Sequence, residues 1–144
     1  MPSQAFSHTA VASVGSDQVW SALQDPETWK EIGGVTEVSN PRFDELGLLS
    51  YDFGLAIAGK NYRGQARRVE ADVRRRMVMK IDTNQMYGRI EVDLDLVGEE
   101  TNVRVGMEIA SRGFMAGLMF PVISSAVANG FEAAARQFVR SLES

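Results

Sequence analysis

The hydrophobic period of the sequence changes once, and this change constrains the fold more than any other feature. From Leu49 to Ile109, apolar and polar residues alternate through successive segments. Such alternation predicts antiparallel strands with one dry face and one wet face. After Phe120 the apolar residues recur every three or four positions, which predicts an amphipathic helix of about 22 residues that Pro121 either begins or kinks. We therefore expect one sheet whose dry face is covered by one long helix.

Turn residues divide the alternating region into hairpins. Gly59 and Lys60 predict a two-residue turn in which Gly59 has a positive φ. The apolar parity changes near Arg67 and Arg68, which predicts a β-bulge. A second turn is expected over residues 73–75, where the alternation stops again.

The amino-terminal region predicts one strand and two short helices. The strand is expected over residues 4–14, and the hydroxyl of Ser16 is expected to cap the first helix. The second helix is expected to begin at Pro26 and to end at Gly33 and Gly34. The whole order predicts an α+β protein with a curved antiparallel sheet of about 6–7 strands wrapped around the carboxy-terminal helix. A length of 144 residues indicates a single domain over residues 1–144.

Composition excludes several classes of site and partner. The chain has no Cys and one His, which excludes thiol nucleophiles and Cys-based metal sites and disfavours a His-based one. We therefore expect no metal and no cofactor. A net charge of -4 disfavours nucleic acid as a partner, because nucleic-acid-binding domains are usually basic.

The distribution of charge also bears on location. Residues 1–14 have no basic residue and no long apolar core, so they do not resemble a secretory signal. Residues 113–131 carry no charge, but their Gly, Ser, Asn and Pro content predicts a buried helix rather than a membrane span. Together with the absence of Cys, these features favour the cytoplasm.

Several segments resemble a known superfamily. Residues 19–29, VWSALQDPETW, resemble the opening of START-like, or SRPBCC, proteins, which include polyketide cyclases and birch-pollen-allergen-like proteins. Residues 58–64, 99–103 and 113–121 resemble the branch related to the G subunit of carbon monoxide dehydrogenase. The motifs are loose, and residues 33–35 read Gly-Gly-Val where that family often has Pro-Gly-Val. The resemblance extends over nearly the whole chain and implies a helix-grip fold. It also implies a deep apolar cavity between sheet and terminal helix that holds a lipid, sterol, polyketide or aromatic compound.

Candidate ligand contacts are apolar or amphipathic side chains on the predicted inward faces and on the last helix. Flexible Met side chains can line a cavity that accepts several shapes, and a buried Tyr hydroxyl needs a partner that a ligand can supply. Ordinary core packing is the alternative for each Met and Trp, and a hydrogen bond to the backbone is the alternative for each Tyr. The candidates are Trp29, Tyr51, Phe53, Tyr62, Met79, Met107, Met115, Met119, Ile123 and Val127.

One candidate for chemistry is present. His8 shares a predicted face with Phe6 and Ala10 and is the only histidine in the chain, so it is a weak candidate for a general acid or base. A half-exposed or backbone-bonded imidazole is the alternative.

Three functions remain open at this point. The first is binding of a hydrophobic small molecule without chemistry. The second is a polyketide cyclase or aromatase, a dehydratase-type lyase or isomerase that uses the same cavity. The third is an accessory factor for assembly or membrane recruitment of a larger complex, to which the Arg-rich hairpin Arg63–Arg76 would contribute a docking patch. A solvated strand edge is the alternative for that hairpin. Both a monomer and a homodimer are compatible with the sequence.

Overall fold

A computed structural model describes the backbone of residues 3–33, 35–57, 59–84, 86–111 and 113–143. The side chains of residues 57, 113–120, 122–124 and 126 lie outside this description. The elements in chain order are β1 Ser3–Ala12, α1 Ser16–Ala22, α2 Pro26–Gly33, β2 Glu37–Asp44, β3 Gly47–Ile57, β4 Lys60–Asp72, β5 Arg76–Thr83, β6 Met86–Val97, β7 Glu100–Ser111 and α3 Gly113–Leu142.

The strands form one antiparallel sheet in the order β1-β7-β6-β5-β4-β3-β2. Six of the seven strands follow each other as neighbours, and β1 completes the sheet beside β7. Helix α3 packs against β1, β7 and α2, so the sheet and α3 enclose the core between them. This arrangement confirms the predicted α+β fold, with a curved sheet around a carboxy-terminal helix.

The core consists of the inward faces of the strands and one stripe of α3. Phe131, Ala135, Phe138 and Leu142 are buried on α3, at the spacing of three and four residues that the sequence predicts. An ion pair between Glu132 and Arg136, four residues apart, lies on the exposed side of the helix. Because the apolar stripe faces the sheet, packing rather than helix propensity holds α3 in place.

Helix α3 is longer than predicted. It has 30 residues instead of about 22, and Pro121 lies in its interior rather than at its beginning, the second of the two predicted alternatives. The uncharged segment before Pro121 continues the helix, and Pro121 is tolerated there although it cannot donate a backbone hydrogen bond.

Two local predictions about the strands are confirmed and one needs correction. The register passes from Arg68 opposite Met79 to Glu70 opposite Val78, which is the predicted bulge. Gly59 has a φ of +78°, as predicted. Ile57 nevertheless pairs with Lys60, so the β3–β4 turn comes one residue earlier than predicted and Lys60 belongs to β4. Ala58 lies outside the described residues.

The capping prediction at Ser16 is wrong. Gly15 is the N-cap of α1, without a side-chain cap, and Ser16 is inside the helix. The Ser16 hydroxyl lies 3.4 Å from the hydroxyl of Thr101, in a buried position. The Ser16 hydroxyl thus contacts Thr101 on β7 instead of capping the helix.

Strand β2 is the element that the sequence does not reveal. Its residues are mostly exposed, and its register to β3 shifts on both sides of Arg42. Pro41 lies within it, which an edge strand tolerates because one side of its backbone needs no partner. An irregular, exposed strand has no alternation for a sequence to display.

No helix formed by the described residues is both long and apolar enough to cross a membrane.

Candidate functional site

A cavity of about 260 Å³ lies between the sheet and α3. The sheet supplies its floor from β3, β5, β6 and β7, and the end of α2 together with α3 supplies its roof. Nearly all of the described residues around it are apolar. They are Ile32, Gly33, Val35, Phe53, Leu55, Ala56, Ile81, Met86, Tyr87, Gly88, Met107, Ile109, Val127, Gly130, Phe131 and Ala134.

A glycine keeps the floor of the cavity open. Gly88 takes an inward position on β6, opposite Ile81 on one side and Ile109 on the other. Both neighbours line the cavity. A β-carbon at Gly88 would lie 2.4 Å from the carbonyl oxygen of Glu108, so the close backbone approach requires glycine here.

Three of the predicted ligand contacts lie on the cavity wall. Phe53 on β3, Met107 on β7 and Val127 on α3 come from distant parts of the sequence and meet around the same space. Tyr62 is half-buried beside Met86 rather than on the described lining. The structure therefore supports a ligand-contact role most directly for Phe53, Met107 and Val127.

Three other predicted contacts are buried in the core and are not among the lining residues. Trp29 is fully buried, and its indole N–H donates to the carbonyl oxygen of Leu23 at 2.7 Å. Met79 is also fully buried. Tyr51 packs edge-on against Phe53, with ring centroids 6.5 Å apart, and burial raises the pKa of its phenol. The core alternative describes Trp29 and Met79 better than a ligand contact does.

The remaining predicted contacts, Met115, Met119 and Ile123, have side chains outside the described part of α3. Their backbones belong to α3 on the amino-terminal side of Val127. A ligand role for these three residues stays a prediction.

His8 lies on the inward side of β1 but away from the cavity. It is half-buried, and in the pairing of β1 with β7 it stands opposite Val105, while Phe6 stands opposite the cavity residue Met107. The ring of Phe6 in turn contacts that of Phe131, with centroids 5.7 Å apart. His8 is thus one inward position removed from the wall, and nothing in the described geometry gives it a catalytic partner.

Most of the sheet side of the wall is missing from the predicted contacts. Ile81, Met86 and Ile109 line the cavity and are not among the candidates that the sequence provides. Ile81 and Ile109 follow Met79 and Met107 on the same inward registers, so alternation alone contains their signal. The sequence does not tell which part of each strand faces the cavity and which part packs directly against the helices.

The described lining offers little chemistry. Tyr87 is its only residue with a polar side chain, and no carboxylate, imidazole, amine or guanidinium belongs to it. Among the described residues no group of three or more His, Asp or Glu side chains is placed to hold a metal ion. The site is suited to contact with an apolar surface.

The Arg-rich hairpin lies away from this cavity, and four of its six arginines, Arg63, Arg68, Arg74 and Arg76, form ion pairs with acidic side chains. Arg76 is held by Asp93 at 2.7 Å, by Glu70 at 3.0 Å and by Glu91 at 3.4 Å. The hydrogen bond to Asp93 is the main reason that the pKa of Arg76 is raised. Arg68 on β4 pairs with Asp44 on β2, across the intervening strand β3.

Two further arginines of the hairpin also have acidic partners. Arg63 lies 3.3 Å from a carboxylate oxygen of Glu37, and Arg74 lies 3.0 Å from one of Asp17. The positive charge that the sequence displays as a run is therefore distributed over ion pairs with acidic residues from other elements.

Comparison with known proteins gives the fold a context. No family model and no curated protein matches the sequence. Solved structures do match: a START superfamily protein from Mycobacterium smegmatis has a TM-score of 0.67 at 11% identity, with 96% of this chain and 98% of that chain covered. This chain has a START-like fold.

Other matching structures are as distant in sequence. The Zhui aromatase/cyclase from Streptomyces sp. R1128 has a TM-score of 0.68 at 15% identity, over 99% of this chain and 94% of that chain. A protein from Thermus thermophilus has a TM-score of 0.74 at 14% identity, over 96% and 97% of the two chains. At such identities the START-like fold is shared and the function is not transferred.

Proposed function

We propose that this START-like protein binds a small hydrophobic molecule in the cavity between its sheet and α3. The observation that carries the proposal is the composition of the wall, in which Tyr87 is the one residue of polar type among the described lining residues and its side chain alternates with those on the inward face of β6. Binding sites for small molecules are typically concave and apolar with few polar groups. Removal of apolar ligand surface from water then supplies the binding free energy.

The size of the cavity limits the ligand. Its volume of about 260 Å³ is near the lower end of the range of about 300–1,000 Å³ that is usual for ligand sites. The free cavity therefore suits a compound of one or two aromatic rings, or a short acyl chain. Met86 and Met107 belong to the wall, and their unbranched thioethers can shift to accept different shapes.

The proposed contacts combine predicted and newly found residues. Phe53, Met107 and Val127 stay as predicted, while Ile81 and Ile109 join them from the sheet. Met115, Met119 and Ile123 remain proposed contacts from the first half of α3. We also propose that residues 1–144 act as one domain with one such site.

The two other functions have less support. A cyclase or aromatase needs a positioned acid or base, and the described wall has no carboxylate or imidazole. The docking role of the Arg-rich hairpin needs free positive charge, whereas Arg63, Arg68, Arg74 and Arg76 are engaged with acidic side chains.

A matched pair of α3 variants tests the proposal. Ala134 lines the cavity, and its neighbour Ala133 is exposed. Ala134→Phe is expected to fill the cavity and to weaken binding of 1-methylnaphthalene at least tenfold, while Ala133→Phe leaves the dissociation constant within about twofold, since interior volume is strictly limited. Native mass spectrometry with solvent extraction of freshly purified protein would reveal a co-purifying compound in wild type and Ala133→Phe only. Equal binding of the probe by both variants would contradict the proposal.

A further inference from the structure

One buried hydroxyl near the cavity lacks a hydrogen-bond partner. The side chain of Ser111, the last residue of β7, is 1% exposed, and its Oγ atom has no partner within the described structure. Buried hydroxyls in proteins are nearly always hydrogen-bonded, because desolvation without a new bond is costly. An orphaned hydroxyl therefore calls for a group that the free protein does not supply.

The sheet places this hydroxyl directly behind the cavity wall. Met107, Ile109 and Ser111 alternate along β7 on its inward face, and the first two line the cavity. In the pairing of β6 with β7, Ser111 stands opposite Met86, which also lines the cavity. Residues that pair across an antiparallel sheet point to the same side. Ser111 thus faces inward at the end of the cavity, with Met86 and Ile109 as its nearest neighbours on that face.

A flexible side chain lies beside Ser111 on the inward face of the sheet. Met86 pairs with Ser111 and lines the cavity, and its unbranched thioether chain changes rotamer at little cost compared with branched residues. Movement of the end of Met86 would let a ligand in the cavity approach the Ser111 hydroxyl.

We infer that Ser111 forms the polar end of the site, and that the ligand is an apolar molecule carrying one hydrogen-bonding oxygen. This inference rests on the proposed function and adds a chemical class to it: a phenol, an alcohol or a ketone in preference to a pure hydrocarbon. The ligand oxygen satisfies Ser111 Oγ, while the rest of the molecule contacts the apolar wall.

A trapped water is the competing explanation. A buried water usually needs two to four polar partners. The inward neighbours of Ser111 on β6 and β7, Met86 and Ile109, offer none beyond a weakly accepting sulfur. On the sheet side, these two side chains thus favour a ligand that brings its own apolar body over a solitary water.

The test compares two ligands of similar shape on three proteins. The probes are 1-naphthol, which carries a hydroxyl, and 1-methylnaphthalene, which carries a methyl group in its place. The proteins are wild type, Ser111→Ala, and Ser50→Ala as a matched control, because Ser50 is also buried but lies on β3 outside the cavity lining. Dissociation constants are measured by titration calorimetry or by tryptophan fluorescence.

The expected result is weaker binding in one combination of probe and protein only, 1-naphthol with Ser111→Ala. Ser111→Ala weakens 1-naphthol about fivefold, the value of one net hydrogen bond, and leaves 1-methylnaphthalene within about twofold. Ser50→Ala changes neither. If 1-methylnaphthalene binds but Ser111→Ala leaves 1-naphthol unchanged, or weakens both probes equally, the inference fails while the proposed function stands. If wild type binds neither probe, both fail together.

Discussion

The ring of Phe53 lies over Gly64 on the neighbouring strand. These residues pair across β3 and β4, and the ring carbon Cζ of Phe53 is 2.8 Å from the place that a β-carbon of Gly64 would occupy. The absence of a side chain at Gly64 lets the aromatic ring lie against the sheet, where it forms one wall of the cavity. A glycine in one strand thus determines the orientation of a binding-site residue in the next.

Gly64→Ala is expected to destabilise the protein. A β-carbon there would also lie 2.3 Å from the carbonyl oxygen of Asp82 and 2.7 Å from the Thr83 methyl group. The backbone oxygen cannot move without disturbing the β4–β5 ladder, so the loss in unfolding free energy should be about 2–3 kcal/mol. Urea denaturation measures it, and a loss below about 0.5 kcal/mol would show that the strands adjust freely.

Gly130→Ala is expected to have the opposite effect. Gly130 lies inside α3, is exposed, and would have no atom within 4 Å of an added β-carbon among the described contacts. Alanine in a helix interior is favoured over glycine by about 1 kcal/mol. The same denaturation experiment should therefore show a gain of that size in the free energy of unfolding. A loss would mean that the added methyl group clashes with a neighbouring group.

Two buried hydroxyls of β7 should respond to removal in opposite directions. Thr101 Oγ1 donates to the carbonyl oxygen of Val14 at 2.8 Å, so Thr101→Val leaves that carbonyl without a donor and should cost about 1–2 kcal/mol. Ser111 Oγ has no partner among the described residues, so Ser111→Ala should leave the stability of ligand-free protein unchanged or raise it by about 1 kcal/mol. Thermal unfolding of both variants after solvent extraction provides the comparison. A clear loss with Ser111→Ala would show that the hydroxyl is satisfied in solution.

The ion pair between Arg68 and Asp44 should make stability depend on acid pH. The hydrogen bond from Arg68 lowers the pKa of Asp44 below its ordinary value of 3.8. A carboxylate with a depressed folded-state pKa stabilises the protein above the unfolded-state pKa, and this contribution is lost as the pH falls through the folded-state value. Asp44→Asn should therefore lower the melting temperature at pH 6, and the difference from wild type should close towards pH 2.

A neighbouring residue provides the control for this pH dependence. Glu45 is exposed and has no ion pair within the described structure, so Glu45→Gln should track wild type across the same range. The melting temperatures of Asp44→Asn and wild type could instead differ equally at pH 2 and pH 6. That result would show that the charge of the Asp44 carboxylate does not stabilise the protein.

The architecture follows from the periodicity of the sequence because each element has one strongly apolar side. Val103, Val105, Met107 and Ile109 alternate in the sequence and are all buried on β7. The buried stripe of α3 likewise recurs at helical spacing. The bulge beside Arg68 is visible as a change of apolar parity along β4, although Val69 at the bulge is itself exposed.

Features that depend on distant partners are absent from these patterns. Ser16 is a residue type that often caps helices, but its hydroxyl lies next to the hydroxyl of Thr101, 85 residues away in the sequence. The sequence predicts the same inward, apolar environment for Trp29 and Met79 as for the residues that line the cavity. Only the three-dimensional position of α2 and α3 shows that Trp29 and Met79 belong to the core instead. The cavity lies where α2 and α3 stand over the sheet without packing directly against it, and that arrangement depends on the packing of three elements at once.

The most direct test of the account locates a bound molecule within the protein. With the methionine methyl groups labelled with carbon-13, intermolecular nuclear Overhauser effects are measured between these groups and 1-methylnaphthalene. Met86 and Met107 line the cavity, whereas Met77 and Met79 are fully buried outside its lining, so they serve as internal controls. The account predicts contacts from the probe to Met86 and Met107 and none to Met77 and Met79. Saturating binding without contacts to Met86 and Met107 would contradict it.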